Sequence, residues 1–138
     1  MQGSLQHAAM HGQDYRQRLR SALQEAFPGS HVYDPLADHG ASLGYGPDQA
    51  KEVFMAHNRM CGEVDLIVAY VPEASMGTAI EMWEGVRHGK TVVAISPLDL
   101  NWVIRFCSHA RYDTLEHFLG ALEAGEIQSL LEFRATGG

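Results

Sequence analysis

Asp65-Leu66-Ile67-Val68-Ala69-Tyr70-Val71-Pro72 is a nearly unbroken apolar run that opens on an acid and stops at a proline. Further on, Thr91-Val92-Val93-Ala94-Ile95 repeats the type before Ser96-Pro97. Runs of this kind, rich in β-branched residues and without polar alternation, suit strands covered on both faces, as in a parallel sheet. Between them the residues from Gly77 to about His88 have helical spacing, and Gly89-Lys90 ends them. Strand, helix and strand in that order predict a parallel crossover unit.

Outward from this unit the same alternation continues. From Gln13 to Phe27 the apolar positions Tyr15, Leu19, Ala22, Leu23 and Ala26 recur at helical spacing until Pro28-Gly29. His31 to Asp34 is a short strand candidate, broken at Pro35. The stretch 37–47 carries Gly40, Gly44, Gly46 and Pro47 and reads as a long loop. A helix starts near Asp48, with Ala50, Val53, Phe54, His57, Met60 and Cys61 on one side. Beyond Ser96-Pro97, a helix from Asn101 to Cys107, a short strand at Arg111-Tyr112 and a helix from Thr114 to Leu122 follow. Leu115, Phe118, Leu119 and Leu122 point inward in that last helix. The expected architecture is a single α/β domain over 1–138: three layers around a mostly parallel sheet of four to five strands. Ligands in such sheets collect beyond the carboxyl ends of the strands, where the loops from Pro72 to Gly77 and from Ser96 to Asn101 lie.

The chain has 138 residues, 46% hydrophobic and 20% charged, which fits one globular core. Its net charge of −7 argues against a nucleic-acid partner, which needs a basic footprint. A single phosphate is compatible with that charge, because backbone amides and a helix end suffice to hold it. Cys61 and Cys107 have no metal-type spacing and suit a reduced, cytoplasmic chain. No apolar run is long enough for a membrane span. His7 and His11, four apart, lack further ligands, so no metal is expected.

Ser75-Met76-Gly77-Thr78 lead directly into a helix, where N–H groups and the helix dipole favour an anion and Gly77 permits close approach of a ligand. Glu81 lies about one turn further on. Thr78-x-x-Glu81 also fits a capping box, in which the glutamate only reaches back to the cap, and local sequence leaves both readings open.

The run Asp65 to Glu81, with Gly89-Lys90-Thr91-Val92-Val93 after it, resembles the nucleoside 2-deoxyribosyltransferase superfamily, and within it most closely the branch that hydrolyses nucleoside 5′-monophosphates. The resemblance implies a flavodoxin-like (Rossmann-like) fold, no cofactor, and a Gly-x-x-x-Glu loop matched by Gly77 and Glu81. Glu81 would attack the anomeric carbon and form a covalent glycosyl intermediate. Ser75, in a place where transferases carry an aspartate, implies a phosphate-binding hydroxyl. Gly3-Ser4 is similar to the branch's first phosphate loop, but only Met1 and Gln2 precede it, so the first strand is expected truncated or absent. His57 stands where the family commonly has an aspartate that assists protonation of the base or contacts the sugar, and it reads equally as a helix-face histidine that only packs. Met76 and Thr78 complete the implied substrate loop. Asn101 is either a simple helix cap or falls in the region that relatives lend to a neighbouring subunit; a homodimer or larger assembly is implied.

The functions carried forward are therefore hydrolysis of a nucleotide N-glycosidic bond, base exchange by a transferase, and non-catalytic nucleotide binding. A further likeness of Gly77-Thr78-x-x-Glu81 to the loop of cytokinin-activating phosphoribohydrolases ranks lower, because Glu73-Ala74-Ser75 replaces their paired glycines. Asp34 and His39 flank the long loop over the expected cleft and read either as solvated residues or as contacts to substrate. Met76, Met82 and Trp83 read as packing, near the base pocket or in the core.

Overall fold

The computed structural model describes residues 13–32 and 46–137. In chain order these form α1 (Gln13–Ala26), α2 (Pro47–Cys61), β1 (Leu66–Tyr70), α3 (Met76–Arg87), β2 (Thr91–Ile95), α4 (Trp102–Phe106), β3 (Ala110–Tyr112), α5 (Leu115–Glu123) and α6 (Glu126–Ala135). The three strands make one parallel sheet in the order β1-β2-β3, with Val68 opposite Val93 and Val93 opposite Ala110. Each crossover passes through a helix, α3 between β1 and β2 and α4 between β2 and β3. The chain is thus an α/β protein with a small open parallel sheet, compatible with a Rossmann-like fold.

Side-chain alternation along the strands assigns the two faces. Leu66, Val68, Tyr70, Val93, Ile95 and Tyr112 join Leu19 of α1, Phe118 and Leu122 of α5 and Ile127 of α6 in one core. Ala69, Val71, Val92 and Ala94 join Met82 of α3 and Ile104 of α4 in the other. Every residue of β2 is buried, as the centre of a sheet covered on both sides requires. Ser96 ties the carboxyl ends together: its hydroxyl donates to the Val71 carbonyl at 2.5 Å and accepts from Leu98 N–H at 3.1 Å. Gly85 lets α3 lie close to the sheet, since a Cβ there would stand 2.4 Å from Ile67 Cδ1 and 3.0 Å from Val92 Cγ2.

Several expectations are corrected. The described residues contain three strands, not four to five. His31 and Val32 belong to no strand, and Tyr33, Asp34, His39 and the residues before Gln13 lie outside the described ones. α2 has the expected face, yet no residue of it is fully buried, and Phe54 is 43% exposed. Met82 is core, whereas Met76 and Trp83 are exposed. The spacing reading contains no helix after Leu122, but α6 is present and docks through Ile127 and through Arg134, whose Nε donates to Thr91 Oγ1 at 2.8 Å. Gly125, in the left-handed region at φ 84°, makes the turn between α5 and α6. No helix among the described residues is long and apolar enough to cross a membrane.

Candidate functional site

α3 begins one residue earlier than its spacing suggests, at Met76, and this changes the role of its first residues. Ser75 is the N-cap: its hydroxyl accepts from Thr78 N–H at 3.3 Å. Thr78 lies within the first turn and is buried, so it is not the cap, and the Thr78–Glu81 capping box does not form. A capping serine still has its own O–H to donate. The N–H groups of Met76 and Gly77 precede the intrahelical ladder and complete a donor set suited to an anion.

Two concavities flank α3. The larger, about 330 Å³, runs along the side of β1 that pairs with no described strand. Leu66, Ile67 and Val68 line its length, Arg16, Leu19 and Arg20 of α1 come from one sheet face, and His57, Met60 and Cys61 of α2 from the other. Glu81 projects into this cavity from α3 and shares its wall with His57. The Nε2 atom of His57 is sealed from solvent. Two guanidinium groups, Arg16 and Arg20, are matched by the carboxylates of Asp65 and Glu81, so the cavity is far less acidic than the molecule as a whole.

The smaller concavity, about 210 Å³, lies at the carboxyl end of the sheet on the other side of α3. Ser75, Met76, Ala79, Asn101 and Val103 are among its walls. At about 100° per residue, Glu81 is turned roughly 200° from Ala79 around the helix. That rotation places the carboxylate in one concavity and the serine in the other. Asn101 acts as the N-cap of α4, its side-chain oxygen accepting from Val103 N–H at 3.0 Å and Ile104 N–H at 3.2 Å. The cap reading of Asn101 is therefore met, while its amide group stays at the wall of the concavity.

The structure thus brings Glu81 together with His57, and Ser75 together with Met76 and Asn101. Gly77 and Thr78 lie in the turn between the two groups, and Gly3 and Ser4 lie outside the described residues. Spacing alone did not single out Arg16, Arg20, Cys61 or Asp65. Arg16 and Arg20 are four apart on α1, a signal that they share a helix side, but what that side meets is a tertiary matter. Cys61 reports on its surroundings: burial, and after it the charge of Glu81, pushes its thiol up to about 12. Among the described residues no group of histidines, cysteines and carboxylates is arranged to hold a metal ion. The chain matches no protein-family model, no curated protein and no solved structure.

Proposed function

We propose that this protein binds a nucleoside 5′-monophosphate and hydrolyses its N-glycosidic bond. The observation that carries the reading is the meeting of Glu81 and His57 on the wall of one cavity of about 330 Å³, within the size range of small-molecule sites. It agrees with the resemblance of the Asp65–Glu81 run, which supplies the reaction class.

The chemistry follows from the groups present. A Glu81 oxygen attacks the anomeric carbon as the bond to the base nitrogen breaks, and His57 gives its proton to the departing base. Water then attacks the same carbon, the ester to Glu81 breaks, and a proton from that water returns to His57. Free base and sugar 5-phosphate leave, and both side chains are restored. Ser75 and Met76 open into the smaller concavity, so a phosphate on a sugar that lies against Glu81 would instead be held by the guanidinium groups of Arg16 and Arg20 on the wall of the same cavity.

The test is turnover of nucleoside monophosphates by the unmodified protein and by Glu81→Gln. The expected result is release of free base without any acceptor, reduced at least ~10³-fold in the variant with nucleotide binding retained. Release only when a second base is supplied would make the protein a deoxyribosyltransferase instead. The separation of Ser75 and Asn101 from Glu81 and His57 favours one other reading, a domain that binds nucleotides without turning them over. Nucleotide binding with no base release from the unmodified protein would establish that reading and overturn the first.

A further inference from the structure

The seam between β2 and β3 is closed differently at its two ends. At the carboxyl end Ser96 N–H donates to the Tyr112 carbonyl at 2.8 Å, and the Arg111 guanidinium donates to the Ser96 carbonyl at 2.9 Å. At the amino end His109 N–H donates to the Val92 carbonyl at 2.7 Å. Repeated every two residues, the parallel ladder would bring Val92 N–H to the Ser108 carbonyl. That N–H donates instead to the His109 ring, reaching Nδ1 at 3.0 Å. A titratable side chain thus takes the place of a backbone acceptor. Val92 is fully buried, so its N–H has no water to turn to, whereas His109 is exposed and can swing away.

We infer that His109 is an acid-sensitive latch: its bare Nδ1 closes the amino end of the β2–β3 seam, and a proton bound there opens it. A backbone N–H can donate only to an unprotonated nitrogen, so the closed seam requires the neutral ring with its proton on Nε2. A proton on Nδ1 sets one donor against another, and the Val92 N–H loses its acceptor. The surroundings press the same way. From α6, Arg134 is held beside β2 by its bond to Thr91 Oγ1 at 2.8 Å. β2 contributes Thr91 and Val92, which do not titrate, and on the side of α4 burial pushes the Cys107 thiol up and keeps it neutral. Burial of the ring, and after it the charge of Arg134, hold the imidazole below its ordinary 6.5. The unfolded chain therefore takes up this proton near 6.5 and the folded chain only at lower pH. The stabilisation is complete above about 6.5 and is lost as pH falls below it. Opening stays local, because Ser108 keeps its own bond to the Ile104 carbonyl and the carboxyl end of the seam keeps those of Ser96 and Arg111. The inference stands apart from the proposed reaction and does not need it.

The test is amide exchange of the full chain, followed by NMR from about pH 7.5 to about pH 5 and expressed as protection relative to an open chain. Protection at Val92 should fall about tenfold or more as pH drops from about 6.5 to about 5, while Val93 and Ile95 keep theirs. The His109 ring, followed in the same samples, should titrate with a midpoint below 6.5. His109→Asn offers a carboxamide oxygen where Nδ1 stood and does not titrate, so Val92 should stay protected over the whole range. Constant protection at Val92 in the unmodified protein would overturn the inference, as would a His109 midpoint at or above 6.5. A fall that persists in His109→Asn, or one shared equally by Val93 and Ile95, would overturn it too, since the acid response would then belong to other groups or to the whole fold.

Discussion

Burial and the nearby charge of Glu81 act in the same direction on the Cys61 thiol, holding it protonated up to about 12, where an ordinary thiol gives up its proton near 9.0. The folded chain therefore keeps this proton while the unfolded chain loses it, so the contribution of Cys61 to stability falls as pH rises from about 9 to 12. Only the thiolate is nucleophilic, and alkylation of native Cys61 at pH 8 is accordingly expected to be slow. Glu81→Gln removes the second cause and should speed alkylation several-fold, measured site by site by mass spectrometry. An unchanged rate would mean that the carboxylate does not face the cavity. This readout of the position of Glu81 is independent of any substrate. At this scale the sequence already picked out Glu81 and His57 as residues, but not the cavity wall on which they meet.

Among the elements, α3 shows how local rules and packing divide the work. Its cap, Ser75, belongs to the residue types that satisfy orphan N–H groups, yet Thr78 belongs to them too, and local sequence admits both. Burial of Thr78 and the close seat of the helix on the sheet decide for Ser75. Gly85 is the residue that sets this seat. Gly85→Val should cost about 1–3 kcal/mol by overpacking, read as a lower urea midpoint with an unchanged slope. An unaltered midpoint would show that α3 can ride up without loss. The helix that spacing did not reveal, α6, has an equally physical explanation. Ile127, Leu130 and Leu131 share one side at i, i+3 and i+4, but Arg134 falls on that same side and Phe133 lies off it, so no clean apolar stripe marks the helix. Ile127 packs fully into the core, Leu131 borders the larger cavity and Phe133 stays exposed. Its place is fixed by tertiary partners such as Thr91, which accepts from Arg134 and which no short window of sequence contains.

For the molecule as a whole, the governing feature is the side of β1 that pairs with no described strand. In the parallel register, Asp65, Ile67, Ala69 and Val71 direct their backbone groups toward β2, as the Thr91 N–H to Asp65 carbonyl and Val71 N–H to Ile95 carbonyl bonds show. Leu66, Val68 and Tyr70 therefore direct theirs to the other edge, along the larger cavity. Amide exchange followed by NMR should be slowest at Val93 and Ile95, slow at Ile67 and Ala69, and markedly faster at Leu66, Val68 and Tyr70. Equal protection along β1 would mean that this edge is covered. The sequence by itself determined the class: unalternating apolar runs at 65–71 and 91–95 with a helix between them admit little but a parallel α/β arrangement, because only burial on both faces tolerates such strands. It also placed Ser75, Gly77 and Glu81 on one loop and helix, since those positions are fixed by chain order and helical pitch. Only the tertiary structure decided that Glu81 turns toward His57 and away from Ser75, and that Met76, Trp83, Trp102 and Phe106 lie on the surface rather than in the core. The side of a helix that meets the sheet depends on where every other layer packs, and that information is spread over the whole chain.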